Sequence, residues 1–166
     1  MMVHFSGGYV NAITYYAAYG SNLNKQQMHS RCPMAKPFGM AVLNGWQLVF
    51  RGVADIMPNP RAKVYLGIYS ITPACEIALD YYESYPDLYV KKYIQIQLES
   101  SQVISMFYVM KPGFGFGKPS HKYLRTIREG YKNWKLPEQP MLESMQHARA
   151  HDSGDGYTSR YWNTDT

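Results

Sequence analysis

Three short stretches of this chain combine residue types that could do chemistry. The first is Tyr19-Gly20-Ser21-Asn22-Leu23, which closes the apolar run Ile13-Thr-Tyr-Tyr-Ala-Ala-Tyr19. A glycine after a buried strand lets the backbone turn sharply and present successive N–H groups. Such a nest near a helix start holds a carboxylate, a phosphate or a developing oxyanion. An ordinary strand-to-helix turn would use the same residues. The second is Glu83, which follows Leu79-Asp80-Tyr81-Tyr82. The spacing predicts a helix end there, where the macrodipole is negative and disfavours a carboxylate. Desolvation among Tyr81, Tyr82 and Tyr85 would raise its pKa further, which suits a general acid/base. A solvated glutamate at a helix end is the plainer alternative. The third is Ser120-His121-Lys122-Tyr123, where the plainer alternative is a serine that caps a helix and a tyrosine in the core.

Other combinations fall short of a site. Gly113-Phe-Gly-Phe-Gly117 lacks the dinucleotide-binding spacing and follows no strand–helix–strand unit. His147 and His151 stand four apart with no third ligand nearby, as surface residues do. Cys32 and Cys75 are too few for a disulfide framework or a four-thiolate zinc site, and neither has an identifiable histidine partner. No serine sits in a nucleophile elbow. Lys91, Lys92, Lys111, Lys118, Lys122, Arg125 and Arg128 give the later half a basic bias that a solvated face explains. The net charge of +5 permits an acidic partner but gives no ground for nucleic acid.

The elements that must position these residues are legible in outline. With 46% hydrophobic and 17% charged residues in 166, the chain reads as one globular unit. Tyrosine supplies 16 of the aromatic residues, and a ring with a hydroxyl suits the lining of a polar cavity. No apolar run approaches the roughly 20 residues that span a bilayer. The start, MMVHFSGGYV, lacks the basic and apolar regions of a secretory signal, so a reducing, cytoplasmic setting is expected. A loose arm is expected over 1–12, a domain over 13–150 and a polar, mobile tail over 151–166.

Within the domain, strands are expected at 13–19, 40–42, 46–51, 53–57, 63–71, 89–98 and 102–110. Asn44-Gly45 reads as a two-residue hairpin turn and Pro58-Asn-Pro60 as another turn. A short helix is expected at 24–30. Thr72 and Pro73 open a longer one that Tyr85-Pro86 stops. Two more run to about Trp134 and from Pro137 to about Ala150. This order is not alternating βαβ, so it predicts an α+β fold, and the excess of strands predicts a small mixed β-barrel flanked by helices.

Taken together, four motifs in order resemble the gamma-glutamylcyclotransferase-like family, which includes the AIG2-like proteins. They are Tyr16-Ala-Ala-Tyr-Gly-Ser-Asn-Leu23, then Gly52-Val-Ala-Asp-Ile-Met-Pro58 with Val64-Tyr-Leu-Gly-Ile-Tyr69, then Leu79-Asp-Tyr-Tyr-Glu83 with Tyr89, and Pro119-Ser-His-Lys-Tyr123. The resemblance spans roughly Thr14 to Leu136. It implies a small β-barrel with a cavity at the loop and a reaction without metal or cofactor. In that reaction the α-amine of a γ-glutamyl group attacks its own γ-carbonyl, releasing 5-oxoproline and an amine. It implies Glu83 as the acid/base and Tyr16, Ala17, Ala18, Tyr19, Gly20, Ser21, Asn22 and Leu23 as the ligand loop. It also implies that Tyr89 and Tyr123 line or shape the cavity. The family carries glycine after the glutamate, where this chain has Ser84. Two readings stay open: an enzyme acting on a γ-glutamyl compound, or a binding protein whose cavity captures an anionic metabolite or nucleotide-like signal without turnover.

Overall fold

A computed structural model describes residues 13–162. The arm expected over 1–12 lies outside the described residues, as do residues 163–166. Five strands, β1 (Thr14–Ala18), β2 (Lys36–Phe50), β3 (Ala54–Ile71), β4 (Tyr89–Leu98) and β5 (Ser101–Met110), form one sheet in the order β2-β3-β1-β5-β4. β1 sits at its centre, antiparallel to β3 and parallel to β5. The two long hairpins, β2–β3 and β4–β5, flank it. Four helices accompany the sheet: α1 (Lys25–Arg31), α2 (Pro73–Tyr82), α3 (His121–Asn133) and α4 (Gln139–Ala150).

The α+β class is as expected, but the sheet does not close into a barrel. β2 and β4 are its two edges and share no ladder. Closure needs the edge strands to exchange backbone hydrogen bonds at a common tilt and stagger. Here the strands are uneven, 15 and 18 residues in one hairpin against 10 and 10 in the other. Where the edges come near, a side chain stands between them: Leu98 Cδ2 lies 3.9 Å from the place a Cβ on Gly39 would take.

Asn44-Gly45 is also not a hairpin turn. β2 runs through it, and the register jumps from Asn44–Lys63 to Trp46–Pro58. Gly45 takes a φ of +82°, which a bulge uses as readily as a tight turn, so the dipeptide alone does not separate the two. Pro58 is the register partner of Trp46, and Asn59 and Pro60 begin the matching excursion of β3, which leaves residues 59–62 without partners in β2. The hairpin turns instead at Arg51-Gly52-Val53.

The helix starts follow the sequence closely. The Asn24 side chain accepts the N–H of Gln27, Thr72 that of Cys75, and Ser120 that of Tyr123. Each such cap is worth about 1 kcal/mol. The core lies between the sheet and the helices, around Ala17, Ala18, Leu23, Ile68, Ile127 and Tyr131. α2 ends in a Schellman arrangement: Ser84 N–H donates to Tyr81 O at 3.2 Å and Tyr85 N–H to Asp80 O at 2.9 Å. Glu83 is the C-cap residue and Ser84 follows in the left-handed region at φ +50°. That conformation explains why glycine suits the position after the glutamate.

Candidate active site

The carboxyl end of β1 feeds directly into the first loop. A 3-10 turn, Ser21–Leu23, follows Gly20, and α1 begins two residues later. Long-range bonds hold this loop against α3: Trp134 Nε1–H donates to Leu23 O at 2.8 Å, and Asn24 Nδ2 to Thr126 O and Glu129 Oε2, both at 3.1 Å. The loop therefore stands at the end of the central strand, facing the C-terminus of α2.

Glu83 meets it there. Tyr16, Tyr19, Gly20, Ser21, Asn22, Glu83, Tyr89 and Tyr123 line one cavity of about 50 Å³. Asn22 Nδ2 points at Glu83 Oε1 at 3.4 Å, a long contact, across 61 positions of sequence. The Tyr82 hydroxyl lies 3.1 Å from Ser21 Oγ. The remaining expected residues are elsewhere: Ala17, Ala18 and Leu23 are 1%, 1% and 0% exposed in the core and do not reach the cavity. Ala17 and Ala18 are short side chains of β1 packed in the core, and Leu23, at the end of the 3-10 turn, is buried with them.

The tyrosines hold the wall by specific bonds. Tyr89 donates to Ala54 O at 2.7 Å while Tyr123 OH accepts the Ala54 N–H at 3.0 Å, so two phenols grip the backbone of one residue, through the peptide units on either side of it. Tyr19 donates to Tyr108 O at 2.6 Å. Burial pushes the pKa of Tyr19, Tyr89 and Tyr123 well up, so they remain neutral phenols.

Glu83 retains some solvent exposure because the cavity opens to it, yet protein crowds its carboxyl on all sides. That desolvation raises its pKa from 4.5 to about 7, and the positive charge of Arg31 opposes the rise. Of the three flanking tyrosines, only Tyr82 contributes to the enclosure. Tyr81 and Tyr85 are 73% and 39% exposed, and the burial comes from β1 and the loop instead.

Two groups of residues were not foreseen. Arg31, at the end of α1, donates to Asn22 Oδ1 at 2.6 Å and lies 3.6 Å from the centre of the Tyr82 ring. Asn22 in turn donates to Tyr16 OH at 3.0 Å, and its backbone oxygen accepts from Tyr69 OH at 2.8 Å. Arg31 thus fixes the amide that faces Glu83. A single arginine in a polar helix carries no spacing signal. The second group belongs to the tail, which the sequence predicts to be mobile. Its described part packs on the site instead, and Tyr157, Ser159, Tyr161 and Trp162 line the cavity. Three aromatic side chains in six residues were the available signal, because they supply burial that the polar residues around them cannot.

Other sequence features resolve without a ligand. Lys91 pairs with Glu76 at 2.7 Å and Asp80 at 2.8 Å, which ties α2 to β4. Asp80 also accepts from Tyr108 OH at 2.6 Å. His147 and His151 stack on each other at 4.3 Å with Phe116 against His147. Among the described residues, no group of three or more His, Cys, Asp or Glu could hold a metal ion, and no helix is long and apolar enough to cross a membrane. Cys32 and Cys75 are free and buried, and burial pushes the Cys32 thiol up to about 12.

The family model described as gamma-glutamyl cyclotransferase, AIG2-like, matches residues 16–136, a stretch that contains both the loop and Glu83. The chain belongs to this family. It is 26% identical over 158 residues to human gamma-glutamylcyclotransferase, covering 87% of this chain and 81% of that protein. A solved gamma-glutamyl cyclotransferase superposes with a TM-score of 0.70 at 25% identity, covering 90% of this chain and 93% of the other. YkqA from Bacillus subtilis shares the fold, with a TM-score of 0.69 at 19% identity over 84% of this chain and 55% of its own. The family match supports an enzymatic function of this general type.

Proposed function

We propose that the cavity converts a γ-glutamyl compound into 5-oxoproline and a free amine. Glu83 takes a proton from the substrate's α-ammonium, and the freed amine attacks the γ-carbonyl carbon. The new C–N bond closes the five-membered ring, Glu83 returns its proton to the leaving nitrogen as the old amide C–N bond breaks, and the ring nitrogen gives up its second proton to the departing amine, which leaves as an ammonium. No water is consumed and the sum of atoms is unchanged. Because the nucleophile and carbonyl are already in one molecule, much of the entropy cost is absent. What remains is proton transfer and stabilisation of the oxyanion.

The observation that carries this reading is Glu83 itself. A carboxyl raised to about 7 and facing the Ser21–Asn22 loop across the cavity is matched to moving a proton near neutral pH. Backbone N–H groups at the start of the 3-10 turn after Gly20 are the donors assigned to the oxyanion or the substrate carboxylate. Tyr16, Tyr19, Tyr89 and Tyr123 shape the pocket. Incubation with a panel of γ-glutamyl compounds, read by mass spectrometry, tests the proposal. The wild-type protein is expected to release 5-oxoproline and Glu83→Gln to release it far more slowly.

The positive charge of Arg31 beside the Gly20–Asn22 loop favours a second reading, in which the cavity binds an anionic metabolite without turnover. Tight binding by both proteins with no 5-oxoproline from either would establish that reading in place of the first.

A further inference from the structure

Because the sheet does not close, a second cavity lies between its two edges. Trp46 of β2 and Lys92 of β4, one from each edge strand, line the same space of about 450 Å³. The cavity at Glu83 is about 50 Å³, and the two share no lining residue. Val53 and Ala54 line the first while Asp55 and Ile56 line the second, so the start of β3 separates them.

The second cavity has a built floor. Asp55, 4% exposed, accepts the Met110 N–H at 2.9 Å and pairs with Arg51 Nε at 3.0 Å. Arg51 Nη1–H in turn donates to Phe114 O at 3.0 Å, which holds the loop after β5 against the cavity. The Gly113–Gly117 loop, which has no part in the chemistry at Glu83, thereby supplies a wall, with half-buried Phe114 in it. Trp46, Ile56 and Val109 continue that wall as an apolar surface. Asp55 is the one acid in the lining, and Arg51 already matches its charge. Two further cations, Lys92 and Lys111, stand at the exposed rim. Among the described residues, neither ammonium has an ion pair or a hydrogen bond.

We infer that this cavity is a second binding site and that its ligand is an aromatic carboxylate, a flat apolar ring system bearing one anionic group. The space is of the size that small-molecule sites occupy. The rings of Trp46 and Phe114 offer the faces and edges on which another ring packs. The anionic group is fixed by the two rim ammoniums, which gain a partner without giving one up. A cationic ligand would meet their repulsion. A small polar anion would leave the apolar wall in contact with water. A ring system of this kind is also too large for the 50 Å³ cavity at Glu83, so the two sites select different molecules.

The test is calorimetric titration of the full chain with naphthalene-1-acetate and with its uncharged amide. Wild type is expected to bind one equivalent of the acid with a Kd below about 1 mM, and the amide about tenfold more weakly. Lys92→Met combined with Lys111→Met is expected to weaken the acid by about tenfold and leave the amide unchanged. Both lysines are exposed, so folding does not depend on them. Phe114→Ala, with its fold checked by circular dichroism, is expected to weaken acid and amide alike by about tenfold. No binding by wild type, equal affinity for acid and amide, or undiminished acid binding in the double lysine variant each overturns the site. None of these readings involves 5-oxoproline, so an absence of γ-glutamyl turnover leaves the result intact.

Discussion

Replacing Glu83 by Gln should change how stability depends on pH, and the sign and size follow from the site. The folded carboxyl ionises near 7 against an ordinary value of 4.5, chiefly because protein surrounds it. Between those values the folded chain holds a proton that the unfolded chain has lost. Stability therefore falls as pH rises through that window, by about 1.4 kcal/mol for each pH unit, and levels off above about 7. The full difference comes to about 3 kcal/mol, and water in the open cavity screens part of it, leaving about 1–3 kcal/mol. Below pH 4.5 both states are protonated and there is no penalty. Gln cannot ionise, so the variant should match wild type at pH 4 and exceed it by that margin at pH 8. Urea unfolding of both proteins at intervals from pH 4 to 8 measures this directly, since all other titrating groups cancel in the difference. Parallel profiles would refute the reasoning: Glu83 would then ionise as it does in water, and its fitness as an acid/base near neutrality would lose its physical basis.

The same substitution should lower turnover of a γ-glutamyl substrate by roughly 10²–10⁴-fold while 5-oxoproline binding, followed by calorimetry, persists. In wild type, kcat/KM should rise with pH and level off above about 7, as free Glu83 loses its proton. Arg31→Met removes the one charge that holds the Glu83 pKa down, so the rising limb of the pH–rate profile should move to higher pH. An unmoved limb with a reduced rate would mean that Arg31 acts only through the Asn22 amide it bonds. Ser84→Gly relieves a left-handed residue at the helix end and should raise stability by up to about 1 kcal/mol, seen as a later urea midpoint with unchanged slope.

Residue type and spacing alone determined a good part of this protein. Asn24, Thr72 and Ser120 mark helix starts because a side-chain oxygen satisfying an orphan N–H is a local event. The Gly20 turn and the placement of Glu83 at the end of α2 are local in the same sense. That Glu83 would be desolvated was also legible, although of the three tyrosines expected to enclose it only Tyr82 does. Chain neighbours 81 and 85 point outwards, and the enclosing groups come from β1 and the loop. Closure of the sheet was not legible. Strand propensity counts strands but carries no information on tilt or stagger, which depend on how two long hairpins pack on either side of β1. Asn44-Gly45 shows the same limit at smaller scale, since a left-handed glycine serves a bulge and a turn alike. Arg31 and Trp162 were invisible for a further reason. Each acts through a partner 9 or 80 positions away, Asn22 and Tyr82, and nothing in the local sequence marks such a pairing. Tertiary packing decided that a tail polar in composition would be seated on glycines at 52 and 115 and lay its aromatic side chains on the cavity, because burial of those rings is possible only where the rest of the chain has made the space.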